Sequence, residues 1–419
     1  MAKIIRFIKL KKINGWIIFY LTLYLILVYK IITLDQIKDS IVWGTYSILI
    51  TFYILSRFLI AYFRIPPEEN GYEPSISFVI PAKNEEKVIF ETIARIYQSN
   101  YPRHKFEVIA INDGSTDETL REMLRAKRIY PLLKIVNWKK NKGKRYGMAT
   151  GILRAKNEIV IFVDSDSFID SNSVRPLVKY FVNKSVGAVA GHADVYNANN
   201  NFLTKMQAVR YYISFRIYKS AESVFGCVTC CSGCYSAYRR EYVLEYLDQW
   251  LNQKFLGASC TYGDDRSLTN FLLRKYKIVY AEEAKAYTIV PDNLKQYFRQ
   301  QLRWKKSWTR ETLRACFFMW KKNPIAAFSF YLGFILPFAA PIVVFRALIW
   351  YPMIFYQIPI YYLMGIFMMN FFYGVYYYLK THKKFWFVGS MLVLFYGIIL
   401  IAQMPYAVLT IRDPKWGTR

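Results

Sequence analysis

Long apolar runs open and close this chain, and the stretch between them reads as water-soluble. That arrangement limits the fold before any motif is considered. Apolar residues fill 13–32 and 41–63 at one end, and 324–379 and 385–411 at the other. A helix needs about twenty such residues to cross a bilayer. The first two runs therefore predict one span each, the third two spans, and the last one. Lys3, Arg6, Lys9, Lys11 and Lys12 precede the first run with no cleavage site after it, as expected of an uncleaved span whose basic end is cytosolic. Arg57 interrupts the second run late, and the basic loop 380–384 also predicts the cytosolic side. Counted this way the C-terminus ends outside; a cytosolic tail requires a further division, for example at Pro405, and the sequence leaves both open.

Lys and Arg exceed Asp and Glu by 57 − 29 = 28. Beside hydrophobic spans, that excess fits an anionic leaflet and phosphorylated substrates, and no nucleic-acid partner is expected. Cys227, Cys230, Cys231 and Cys234 crowd into one stretch. A zinc site normally draws two such pairs from separate segments, so a reduced cytosolic thiol cluster is expected.

After a polar linker at 66–73 the character changes. Three short β-rich runs, 76–80, 106–111 and 159–163, end at Pro81, at Asn112-Asp113-Gly114 and at Asp164-Ser165-Asp166. Helical patterns at 86–99 and 117–127 lie between, which is the alternation of an α/β sheet. Ligands bind such sheets outside the carboxyl ends of the strands, so the acidic stops should converge on one site. Asp164 and Asp166 are suited to share a hard divalent cation with a pyrophosphate. Asn141-Lys142-Gly143-Lys144-Arg145 offers a glycine turn with three cations for phosphate oxygens. Gly263-Asp264-Asp265-Arg266 places two carboxylates together, suited to take a proton from an attacking hydroxyl. Gln300, Arg303 and Trp304 fall at i, i+3 and i+4, so a helix presents an amide, a guanidinium and an indole on one face. Residues 202–221 predict a basic amphipathic helix, lying either at the lipid headgroups or on the domain core. Residues 307–320 predict a similar interfacial helix.

In order along the chain these residues resemble the membrane-embedded, processive members of inverting glycosyltransferase family 2. The set comprises Pro81-Ala82-Lys83-Asn84-Glu85, Asn112 to Thr116, Asn141 to Arg145, Val163 to Asp166, Gly191-His192, Ser232-Gly233, Tyr238-Arg239-Arg240, Gly263 to Arg266, Gln300 to Trp304, and Trp416-Gly417-Thr418-Arg419. Within the family the chain is most similar to hyaluronan synthases, through Asn252 to Gly257, Gly263 to Asn270, and Arg303 to Ser307 followed by Arg310-Glu311; chitin and chito-oligosaccharide synthases share several of these.

The resemblance implies a GT-A (Rossmann-like) α/β domain in the cytosol plus an α-helical transmembrane bundle with amphipathic interface helices, at the plasma membrane. It divides the chain into a membrane segment at 1–65, the catalytic domain at 74–300, interfacial helices at 301–323 and a second membrane segment at 324–419. It implies that Glu85 and Asp113 lie near the uridine, Lys144 at the pyrophosphate, Asp164 on the nucleotide, and Asp166 on Mg²⁺ or Mn²⁺. Asp265 would be the general base, with Asp264 and Arg266 beside it. Gln300 and Arg303 would clamp the diphosphate, Trp304 would floor the acceptor sugar, and Trp416 and Arg419 would lie near the site. The implied substrates are UDP-GlcNAc and UDP-GlcA, joined into a nascent polysaccharide and exported past membrane lipids. Lys83 stands where the family has an aromatic residue, Asn112 where it has an acid, and Cys234 where hyaluronan synthases carry proline. A GlcNAc homopolymer synthase, a non-processive transferase to a lipid phosphate and an inactive membrane scaffold remain alternatives.

Overall fold

In the computed structural model, residues 17–33, 41–385 and 401–413 are described, together with 387, 388, 391 and 395. The tail positions Trp416 and Arg419 lie outside the described residues.

The centre is an eight-stranded sheet. Its strands are β1 (Ile76–Ala82), β2 (Phe106–Asp113), β3 (Lys134–Trp138), β4 (Ile159–Val163), β5 (Ser167–Ile169), β6 (Val186–Val195), β7 (Tyr235–Arg239) and β8 (Lys277–Thr288). They run in the order β3-β2-β1-β4-β7-β6-β8-β5. The three strands expected from sequence form its middle. β1 pairs in parallel with β2 on one side and β4 on the other, with Ile76 opposite both Phe106 and Ile159. Every residue of β1 and β4 is buried, which is why they read as unbroken apolar runs. Alternate side chains enter different cores. Phe78 and Ile80 pack with Ile93 of α3 (Ile89–Tyr97) and Met123 of α4 (Thr119–Ile129). Val79 packs with Ile152 of α5 (Lys144–Arg154) on the opposite face.

β7 is antiparallel to both neighbours, β4 and β6. Its ladder sets Tyr235 opposite Val163, so the turn before Tyr235 sits beside Asp164. Strands β3 and β6 to β8 were not marked in the sequence.

Helix α1 (Ile17–Thr33) precedes α2 (Ile41–Tyr62). In α2, residues Val42–Tyr62, and later the continuous helix Pro324–Phe355, are long and apolar enough to cross a membrane, at 21 and 32 residues. The helix expected over 202–221 forms as α6 (Phe202–Ile213) and continues through a π turn to Val224. It does not stand apart from the rest of the protein. Val209, Ile213 and Ile217 pack against Phe19 and Phe372, and its cations are taken by protein groups. Arg210 donates to Gln301 Oε1 at 2.7 Å, Lys219 to Ser232 Oγ at 2.6 Å, and Arg216 pairs with Glu282. Nor is the helix at 307–320 separate: α7 (Asp264–Leu273) packs on α8 (Leu294–Met319), a single rod that carries Gln300, Arg303 and Trp304 on its first half. The second half is held in the core by Thr309, Thr312, Ala315 and Met319.

Residues 401–413 return to the catalytic side. After turn residues at 401–402, α9 (Gln403–Leu409) begins, with Pro405 in its first turn where no backbone donor is needed. Four residues later Asp413 reaches Lys306 Nζ at 3.3 Å, and its carbonyl accepts from the Tyr262 hydroxyl at 3.1 Å. Pro405 thus lies within α9, and residue 413 stands beside the catalytic domain.

At the junction between α2 and the sheet, Glu282 accepts from Arg64 Nη2 at 2.6 Å and also pairs with Arg216. Glu282 sits where the β8–β6 register shifts. Glu282→Ala would leave two guanidiniums facing one another. We expect a stability loss of about 2 kcal/mol, discounted because Glu282 is one-third exposed. Thermal unfolding of the detergent-solubilised protein, against Glu282→Gln, measures it.

Candidate active site

The flush ends of β1, β2 and β4 gather the acidic stops, as the parallel register requires. Asp113 is buried and accepts from the backbone N–H groups of Lys142 (2.6 Å) and Gly143 (3.0 Å). It thereby sets the loop that carries Lys144. Asn112, standing where an acid was expected, donates to Asn137 Oδ1 at 2.7 Å and accepts from the Ser115 N–H at 3.2 Å. A second carboxylate there would lack the donor that the amide supplies to Asn137. Glu85 lies in the neighbouring loop, its N–H on Thr119 Oγ1 at 2.7 Å. Lys83 is exposed.

Of the three cations in the 141–145 turn, one enters the site. Lys144 Nζ donates to Asp164 Oδ1. Burial would lower its pKa, but the Asp164 carboxylate, with Asp265 and Asp264 beyond, holds it above the ordinary value. Lys142 instead lies over the Trp138 ring at 4.8 Å. Arg145 is buried and pairs with Asp264 at 2.7 Å, so it is not free for phosphate oxygens.

This ion pair separates the two adjacent carboxylates. Asp264 is 3% exposed and belongs to a buried network. In it Arg145 also donates to the Trp250 carbonyl and Gln253 Oε1, Ser267 donates to that same Oε1, and Gln253 donates to Glu311. Asp265 is half-buried. Its Oδ1 accepts from the Arg266 N–H at 2.8 Å, and its Oδ2 faces the Gly233 N–H at 3.4 Å and the Cys230 thiol at 3.8 Å. Both acids head α7, where a carboxylate is favoured by the unpaired amides of the first turn. Gly263 caps that helix at φ +77°, and a Cβ there would lie 1.8 Å from Ser307 Oγ of α8. Only glycine permits both the turn and the contact.

Asp166 is half-buried beside Asp164. Burial first, then the Asp164 charge, push its pKa up to about 7 against the pull of Lys144 and Arg303. Arg303 feels Asp265, Asp164 and Asp264, though burial keeps its pKa below the ordinary value. The guanidinium on α8 therefore faces the same acidic cluster. Gln300 is half-buried one turn earlier, and Gln301 Nε2 approaches its Oε1 at 3.4 Å. Trp304 lies under Arg210 at 5.7 Å and 6.3 Å from the Tyr211 ring. Arg266 turns away from the acids into a cavity between α7, α8 and α2.

Two acidic oxygen donors crowded at one place, with a raised pKa on one of them, are a donor set that suits a hard divalent cation. Among the described residues no group of three His, Cys, Asp or Glu is arranged to hold a metal ion, so phosphate oxygens and water would complete the shell. The cysteines are free thiols. Cys230, raised to about 11 by burial and by Asp265, and Cys234, raised to about 12 by burial and by Asp164 and Asp166, stay protonated beside the acids.

Gly233 was visible in sequence only as part of a motif, and its importance is geometric. A Cβ at this position would stand 2.9 Å from Asp164 Oδ1 and 3.0 Å from Lys144 Nζ.

Acids at the ends of a parallel sheet, cations suited to a diphosphate and an indole suited to a sugar define a glycosyltransferase with a GT-A-like fold. The pattern described as Glycosyl transferase family 2 matches residues 77–247. A hyaluronan synthase of Streptococcus pyogenes serotype M3 is 31% identical over 395 residues, covering 90% of each chain. An N-acetylglucosaminyltransferase of Rhizobium meliloti is 32% identical over 268 residues, 63% of this chain and 62% of its own. A mannosyltransferase from Pyrobaculum calidifontis, solved with GDP-mannose and Mn²⁺, shares the fold at a TM-score of 0.60 and 20% identity, over 89% of this chain and 99% of its own. This chain belongs to glycosyl transferase family 2.

Gly233→Ala should displace Asp164 and Lys144 together. We expect turnover to fall by about 10²-fold, the usual consequence of an ångström's misplacement. Rate measurements set beside melting curves check it, because the effect should exceed any loss of stability.

Proposed function

We propose that the protein is a processive, inverting polymerase that joins UDP-GlcNAc and UDP-GlcA into hyaluronan and passes the polymer through its own membrane segment. The observation that carries the chemistry is the gathering of Asp265, Lys144 and Arg303 around Asp164 and Asp166. The choice of product is supported by 31% identity to a hyaluronan synthase along nine-tenths of the chain.

In this reading Glu85 and Asp113 border the uridine, and Asp164 contacts the nucleotide. Lys144, Gln300 and Arg303 bind the diphosphate. Asp166, beside Asp164, would hold Mg²⁺ or Mn²⁺, which neutralises charge on the leaving UDP when bound. Trp304 supports the acceptor sugar. Asp265 takes the proton of the acceptor hydroxyl, whose oxygen attacks the anomeric carbon from the face opposite UDP, so the configuration inverts. Asp264 holds the helix that presents Asp265. Arg303 and Lys144 meet the charge that develops on the departing diphosphate. Residues 1–65 and 324–419 are read as the membrane segments flanking a cytosolic domain at 74–300. The catalytic face then lies on the inner side of the plasma membrane, and the polymer leaves between membrane helices. The similarity to the rhizobial N-acetylglucosaminyltransferase favours a second reading, a GlcNAc homopolymer.

Incorporation of each UDP-sugar alone and in pairs by purified protein tests the product: polymer should need both UDP-GlcNAc and UDP-GlcA, whereas growth on UDP-GlcNAc alone selects the homopolymer. Asp265→Asn should lower turnover by about 10²–10⁴-fold, the weight of a general base, while UDP still binds. Normal polymer synthesis by that variant would remove Asp265 from the role.

A further inference from the structure

A cavity lies between α2, the end of the helix begun by α6, α7, α8 and the helix that starts at Pro324. Arg57, Arg266, Glu222, Tyr53, Tyr218 and Trp308 line it. Arg57 comes from the apolar helix α2 yet is only 5% exposed, and its Nε has no hydrogen-bond partner. Among the described residues, neither Arg57 nor Arg266 has a carboxylate within ion-pairing distance. The nearby acid is already engaged: Glu222 accepts from the Thr229 N–H at 3.0 Å and from Thr229 Oγ1 at 3.1 Å. Two guanidiniums thus face one committed carboxylate. A buried arginine on a membrane helix is costly unless an anion answers it.

Position says which anion. Arg266 directly follows Asp265, and Trp308 lies one helical turn beyond Trp304 on α8. The cavity is therefore next to the acceptor side of the cluster, while Lys144 faces Asp164 on the diphosphate side. Tyr53, Tyr218 and Trp308 edge the same cavity. We propose that Arg57 and Arg266 form a subsite for the carboxylate of a hexuronate residue in the nascent chain. This rests on the polymerase reading above and makes the two arginines the groups that favour an alternating acidic polymer over a neutral one. Guanidinium and carboxylate match as a bidentate pair, which an ammonium does not reproduce.

The test compares acceptors. Short oligosaccharides of alternating GlcNAc and GlcA, and the same oligosaccharides with each carboxyl reduced to an alcohol, are given to the purified full chain with both donors. The readout is the ratio of initial extension rates, charged over reduced, so a general loss of activity in a variant cancels. Wild type should favour the charged acceptor about tenfold, the weight of one charge-assisted hydrogen bond. Arg57→Met should bring the ratio to near unity, and Arg57→Lys should restore part of it. Should Arg57→Met be wholly inactive, the Arg57→Lys ratio and equilibrium binding of the two labelled oligosaccharides to wild type decide instead. Equal extension of both acceptors by wild type, or a ratio that survives Arg57→Met, overturns the subsite and leaves the arginines to a lipid headgroup. Polymer from UDP-GlcNAc alone also overturns it, with the transferase standing. Failure to turn over any UDP-sugar overturns the transferase itself, and the binding comparison still judges the subsite.

Discussion

Like charge brought to one place is the constraint on which this structure depends. Parallel pairing of β1 with β2 and β4 delivers Asp113, Asp164 and Asp166 to one edge, and α7 adds Asp264 and Asp265 from across the cleft. Such a cluster persists only if cations answer it. Arg145 takes Asp264, Lys144 takes Asp164, and Arg303 lies within the field of Asp164, Asp166 and Asp265. At Asp166, burial and the Asp164 charge outweigh the pull of Lys144 and Arg303 and hold the pKa up.

A second consequence is rigidity. Asp265 is aimed by a helix whose first residue is locked to Arg145 and whose cap abuts Ser307 of α8, while the turn before β7 supplies the Gly233 amide. Asp265, Arg303 and Trp304 therefore ride on two helices in direct contact. Because α6 and its continuation join β6 to α1, α2 and the helix around Phe372, the catalytic edge and the apolar helices share one packed seam. Arg64, Arg216 and Glu282 close that seam electrostatically.

Much of this was legible in the residues. The runs at 76–80, 106–111 and 159–163 form the strands expected, with their acidic stops side by side, because fully buried parallel strands must be apolar throughout. The spacing of Gln300, Arg303 and Trp304 forms the helix expected. Less visible was β7, whose polar segment Tyr235–Arg239 is buried by neighbours far away in sequence. The basic face of α6 left lipid headgroups and the domain core both open, because nothing local shows that Gln301, Glu282 and Ser232 would take its cations.

What the sequence determined by itself was the order of buried strands, the acids at their ends and the apolar segments on either side. Periodicity and composition carry that information locally, residue by residue. Only the tertiary structure decided which of two adjacent aspartates faces the cleft, that Arg145 serves Asp264 while Lys144 serves Asp164, and that Gly233 must lack a side chain. Those choices depend on which groups meet across the folded chain, and a charge or a missing Cβ has no meaning until its neighbour is in place.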